Sequence, residues 1–155
     1  MKSLQELFDI GVGGVIAQGR PGYDRVRETC MYGEGCAVGQ IIEAHFTPAL
    51  EGPSIREVIF GPGRLTEEEN AATRDAITVL LAALTASDVE TDPKTLTFLL
   101  DLQDVHDNAA MNTTSNDWFM AQFRAGCMKL ANAYGLDQRV LYRPGIQAQL
   151  GEAIG

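Results

Sequence analysis

Apolar positions recur at helical spacing in four stretches of the chain, separated by breaks rich in glycine and proline. The first stretch opens on Ser3 and Glu6, a pair spaced to cap a helix reciprocally, and carries Leu4, Leu7, Phe8, Val12, Val15 and Ile16. Gly11, Gly13 and Gly14 interrupt it, which costs helix propensity and implies either a neighbour close to the backbone or a bend. Gly19, Pro21 and Gly22 end it. Thr66 and Glu69 cap the second stretch, which runs to the neighbourhood of Ala86 with Ile77, Leu80, Leu81 and Leu84 as its core stripe. Asp92 followed by Pro93 starts the third. The fourth begins near Ser115 or Asn116, buries Phe119, Phe123, Leu130 and Tyr134, and stops at Gly135-Leu136.

From Glu28 to Gly39 the helical period is lost. Gly33-Glu34-Gly35 reads as a turn joining Thr29–Tyr32 to Cys36–Val38, a short β-hairpin near residues 29–38 that must lean on the helices for stability. Gln40 to Phe46 reads as a short helix. Ser54 and Glu57 cap another that ends near Phe60, before the break at Gly61-Pro62-Gly63. Beyond Pro144-Gly145, Ile146, Leu150 and Ile154 form a regular apolar stripe in a segment too short to be helical unaided. The expected fold is α+β and predominantly α, with about four main helices packed against one short hairpin. Residues 1–143 make the domain, and 144–155 form a tail that docks on it or on a partner.

Composition narrows the class. A chain of 155 residues suits one core, and 45 % hydrophobic with 21 % charged residues excludes a disordered polymer. No apolar run approaches the ~20 residues of a membrane span, and the start lacks the basic lead of a secretory signal. Three cysteines are too few, and odd in number, for a secreted disulfide scaffold, so reduced thiols in a cytoplasm are expected. A formal charge of −9 disfavours direct contact with nucleic acid or anionic membrane and suits docking on a basic protein surface.

His106 is the most informative polar residue. On the helix from Pro93 it lies at the centre of the apolar arc formed by Leu96, Phe98, Leu99, Leu102, Val105 and Ala109, with Gln103 near the border. An imidazole so placed needs a hydrogen-bond partner, and the expected role is a brace between hairpin and helices. His106-Asp107 also resembles the two-letter signature of HD-type metal phosphohydrolases, which need a further histidine and aspartate, whereas His45 is the only other histidine here. Zinc is the alternative cofactor, where none is otherwise expected: Cys30 and Cys36, with His45 or His106, offer a tetrahedral donor set, although the cysteine spacing is wider than usual. No serine or cysteine nucleophile has an identifiable base, and no phosphate-binding loop is present in the sequence. Trp118, just inside a helix start, is expected in the core, with an interface anchor as the alternative. Glu67, Glu68, Asp101 and Asp104, with Ile146 and Leu150 of the tail, are the candidate interaction residues.

Three patterns resemble a group of small, uncharacterised proteins of phage and prophage genomes. They are Cys30-Met31-Tyr32 with Gly35-Cys36-Ala37-Val38-Gly39, then Leu99 through Leu102-Gln103 to His106-Asp107, then Trp118 with Tyr134-Gly135-Leu136. The resemblance implies a phage-associated accessory protein, located in the host cytoplasm if phage-encoded, and implies no activity. Gly33-Glu34-Gly35 is shorter and less basic than the corresponding turn of that group. The function expected from all of this is non-enzymatic: a small acidic protein that binds and modulates a host or viral protein, in one version as an inhibitor mimicking nucleic acid. The alternatives are a metal-dependent hydrolase or zinc-stabilised domain, and a small-ligand binder.

Overall fold

The chain is predominantly α-helical. A computed structural model describes residues 1–24, 29–30, 32–44, 46, 50, 55–60 and 66–142. Among these, the α-helices are α1 (Leu4–Gln18), α2 (Ala37–Ile41), α3 (Ile55–Phe60), α4 (Glu67–Ala86), α5 (Pro93–Met111) and α6 (Asn116–Tyr134). Short 3₁₀ turns occupy Tyr32–Glu34 and Arg139–Tyr142. The candidate cap at Ser54, the break at 61–63 and the tail 144–155 lie outside the described residues.

Local chemistry sets the helix ends. Ser3 with Glu6 and Thr66 with Glu69 each form a complete capping box, so two otherwise orphaned amides are satisfied at both starts. Ser115 caps α6 through the Trp118 amide, and Gly135 closes it in the left-handed conformation. Pro93 opens α5 at a position where its missing N–H costs nothing.

The inward stripes then meet in one hydrophobic cluster. Leu7, Phe8, Val12 and Val15 of α1, Leu80 and Leu84 of α4, Phe98, Leu99 and Leu102 of α5, and Phe119 and Phe123 of α6 are all fully buried. Helix α1 packs on α2, and α5 packs on α6, α3 and α2. The glycines of α1 permit the first of these contacts: a Cβ on Gly11 would lie 3.2 Å from the Ala37 carbonyl oxygen. The Arg139–Tyr142 turn folds back against α1 and α6, and Asp137 accepts the Arg139 guanidinium at 2.8 Å.

The expected hairpin over 29–38 is not formed, and the α+β assignment gives way to an essentially helical fold. Thr29–Cys30 instead pair backwards with Tyr23–Asp24, an antiparallel contact two residues long and too short to make a sheet. What reads as the second arm is the first turn of α2. Gly35, at φ +83°, swings the chain so that Cys36 becomes an N-cap and not a strand residue. Gly39 then lets α2 press onto the preceding turn, since a Cβ there would come within 2.4 Å of the Tyr32 carbonyl oxygen. Ala37, Val38, Gly39 and Ile41 are all buried, so the segment lacks the one-sided pattern that distinguishes a short helix from a strand.

Candidate functional site

Helix α5 carries the polar centre of the molecule. His106 is fully buried, and its ring meets Phe119 and Phe123 edge-on at centroid distances of 5.5 and 6.2 Å. Its Nε2 accepts the backbone N–H of Gly22 at 3.1 Å. A nitrogen that accepts is bare, so the ring proton resides on Nδ1, which donates to Asp107 Oδ1 at 2.8 Å. Gln103 completes the arrangement: its amide nitrogen donates to the same Asp107 oxygen at 2.7 Å, and its Oε1 accepts the Val38 N–H at 3.0 Å. Three neighbouring side chains of one helix therefore hold the loop after α1 and the first turn of α2. Both imidazole nitrogens are occupied, which leaves no lone pair to accept a substrate proton.

The phenol of Tyr32 lies in the same region. Burial, reinforced by the charges of Asp107 and Glu57, raises it above the ordinary phenol range. It stays protonated and supplies no base.

Two members of the candidate metal set, Cys36 and His106, are engaged elsewhere. Cys36 is disulfide-bonded, so it has no thiolate to offer, and the expectation of a wholly reduced cysteine set is overturned at this residue. His106 has both nitrogens committed. The Cys30 side chain and His45 lie outside the described residues. Among the described residues, no three His, Cys, Asp or Glu side chains converge as metal ligands. Cys127 is a free, buried thiol that burial raises well above its ordinary value.

The α5 aspartates work internally. Asp101 accepts the Tyr134 hydroxyl at 2.6 Å, and Asp104 pairs with Arg56 at 3.0 Å. Burial lifts the Asp104 carboxyl above its usual range despite that guanidinium. Both carboxylates thus have partners within the chain, and Asp104 with Arg56 remains partly open to solvent. Glu67 and Glu68 are exposed at the start of α4, while Ile146 and Leu150 lie outside the described residues.

A groove of about 420 Å³ opens beside the Tyr32–Glu34 turn, lined in part by Gln18, Arg20, Glu34 and Gln40. Its polar groups are spent on one another. Gln40 Nε2 donates to the Gly35 carbonyl at 2.9 Å and to Gln18 Oε1 at 3.2 Å, and Gln18 Nε2 donates to the Arg20 carbonyl at 2.8 Å. Arg20 stands 3.8 Å from Glu34. The groove is a self-satisfied polar seam with little left to orient a ligand.

The outward face of α6 differs from both places. Trp118 is 68 % exposed, which corrects the expectation that it packs in the core. Phe119, Phe123, Cys127 and Leu130 take the inward stripe, and Trp118, one residue before it, is rotated outward. Ala121 and Ala125 follow it on the exposed side, and Met128 is 42 % exposed. These four fall within an arc of about 80° at 100° per residue. Lys129 and Gln122 flank that arc on one side and Asp117 on the other, and no carboxylate falls within it. An apolar helix face about three turns long with an exposed tryptophan has the makings of a contact surface.

Sequence reasoning missed two features. Asp107 projects away from the centre of the His106 face, yet the carboxylate of an adjacent residue still reaches Nδ1 around the helix surface. The α6 face was legible as a three-four-three spacing, 118-121-125-128, on the side of the helix opposite the core stripe. No protein-family model matches the chain, and neither a curated protein nor a solved structure matches it. Among the described residues, no helix is long and apolar enough to cross a membrane.

Proposed function

We propose that this protein is a non-enzymatic accessory factor that acts by binding another protein chain through the outward face of α6. The observation that carries the reading is Trp118, a large aromatic side chain left 68 % exposed at the head of an apolar, acid-free strip. Water-exposed tryptophan is uncommon on a surface without a partner, and tryptophan is among the residues most often found to dominate binding energy. The polar centre of α5 supports the same reading from the other side, because His106 and Asp107 are both engaged in holding the fold.

The acidic balance contributes a second element. With nine net negative charges, most approaches to this chain favour a basic surface. The α6 strip is where an apolar contact forms with the least electrostatic cost, and acidic rims such as Asp117 bias the partner's periphery towards positive charge.

The test is affinity capture from a host extract with the unaltered chain, Trp118→Ala and Met128→Ala side by side. The reading predicts that the specific partner is lost from both variants while their melting temperatures stay within about 2 °C of the parent. Capture of the same proteins in the same amounts by all three would contradict it.

A further inference from the structure

Cys36 is disulfide-bonded and fully buried, and it stands at the N-cap of α2. Its side chain makes no capping hydrogen bond. The start of α2 therefore lacks the polar cap that secures α1, α4 and α6, and a covalent tie stands in that place. We propose that this disulfide is a redox latch. Oxidised, it locks the Tyr32–Glu34 turn and α2 onto the helical body; reduced, it releases them while the other helices stay packed. The inference is independent of the α6 face.

The release is local because of what each element rests on. Helix α2 is five residues long, well below the length at which a helix holds itself. The chain enters it through Gly35 at φ +83°, whose carbonyl accepts the Gln40 side chain at 2.9 Å in a partly buried bond. By contrast α1, α5 and α6 carry their own end signals and bury Phe8, Phe98, Phe119 and Phe123 in the common core. The buried bonds from the Val38 N–H to Gln103 and from the Gly22 N–H to His106 need no disulfide, so a released segment has a place to return to. The groove of about 420 Å³ is lined by Tyr32–Gly35 and Gly39–Ala44, the stretches before and after Cys36. The latch thereby decides whether that groove is formed.

The co-reactant is a dithiol. One of its thiolates attacks the disulfide, the S–S bond breaks and a mixed disulfide forms. Its second thiol then displaces the protein sulfur. Two electrons and two protons pass to the protein, which ends with two thiols, and the dithiol ends as a disulfide. Cys127, a free thiol buried on α6, stands outside the exchange. Gly22 carries the change to the loop after α1, because its backbone abuts Cys36: a Cβ there would lie 2.2 Å from the Cys36 amide nitrogen.

Hydrogen exchange of the full chain, read by peptide mass before and after treatment with dithiothreitol, tests the latch. Alkylation under denaturing conditions first fixes the redox state: one of the three cysteines should react in the oxidised chain and all three after reduction. The amides of 32–42 should then exchange about tenfold faster or more in the reduced chain, with those of α5 and α6 within about twofold of their oxidised rates. Cys36→Ala should match the reduced parent with or without the dithiol, and Cys127→Ala should respond as the parent does. Alanine is the replacement at 36 because a serine hydroxyl would itself cap α2. Three reactive cysteines in chain purified without reductant overturn the proposal. So does exchange over 32–42 that reduction leaves unchanged, or an equal rise throughout the chain, which would make the disulfide a staple of the whole fold. If Cys36→Ala does not fold, the two redox states of the parent decide by themselves.

Discussion

The ring of His106 accepts a backbone proton from Gly22, 84 positions away in the sequence, at 3.1 Å. The bond fixes the loop after α1 against α5 at a place where water cannot substitute, since the ring is fully buried. Removing the ring leaves the Gly22 amide without a partner, strips Asp107 of one of its two hydrogen bonds and opens a cavity beside Phe119 and Phe123. His106→Ala should therefore cost about 3 kcal/mol, from the orphaned groups and the cavity together. Urea unfolding measures it, and a loss below about 0.5 kcal/mol would show that the imidazole does not brace the fold.

Two glycines should respond in different ways to the same substitution. A Cβ on Gly22 would lie 2.2 Å from the Cys36 amide nitrogen, a collision with backbone that no rotamer relieves. Gly135 has φ +66° and open space around its Cβ position. Gly22→Ala should cost about 3 kcal/mol through forced separation of two segments. Gly135→Ala should cost about 1 kcal/mol, from the left-handed backbone alone. Thermal melts of the two variants rank them, and equal losses would contradict the close approach at Gly22.

Burial, with the hydrogen bond to Asp101, pushes the Tyr134 phenol from 10.0 up to about 12. The folded chain thus holds this proton more tightly than the unfolded chain does. The stability it contributes is complete below pH 10 and declines as the pH rises towards 12. Tyr134→Phe removes that component and leaves the rise of Tyr32 in place. Denaturant midpoints recorded through this alkaline window should fall less steeply for the variant than for the parent. A parallel fall in both would mean that neither burial nor the Asp101 contact raises the phenol.

The helices that could be read from the sequence are those whose ends carry their own chemistry. Ser3 with Glu6, Thr66 with Glu69, and Pro93 each announce a start, and one-sided stripes such as Phe119, Phe123 and Leu130 announce a buried face. Helix α2 carries no such signal. Four of its five residues are buried, its cap is a cysteine, and its direction is set by Gly35 and by a hydrogen bond from the Val38 N–H to Gln103, distant in sequence. The inward face of His106 could be placed by counting, but its partners could not. One is a backbone amide from another part of the chain, and the other is an adjacent carboxylate that helical rotation alone places elsewhere. Trp118 was misplaced for a simpler reason. Hydrophobicity argues for burial, whereas its phase on α6, one step before the core stripe, argues against it.

Trp118 is the only tryptophan, so its fluorescence reports the α6 face without a label. In dilute solution, emission should be that of a water-exposed indole and should be readily quenched by acrylamide. As the contact forms with a captured partner, the emission should shift to shorter wavelength and the quenching should fall. An indole already shielded in the dilute chain, or one whose emission and quenching do not change when a partner is bound, would contradict the claim that this protein works through that face.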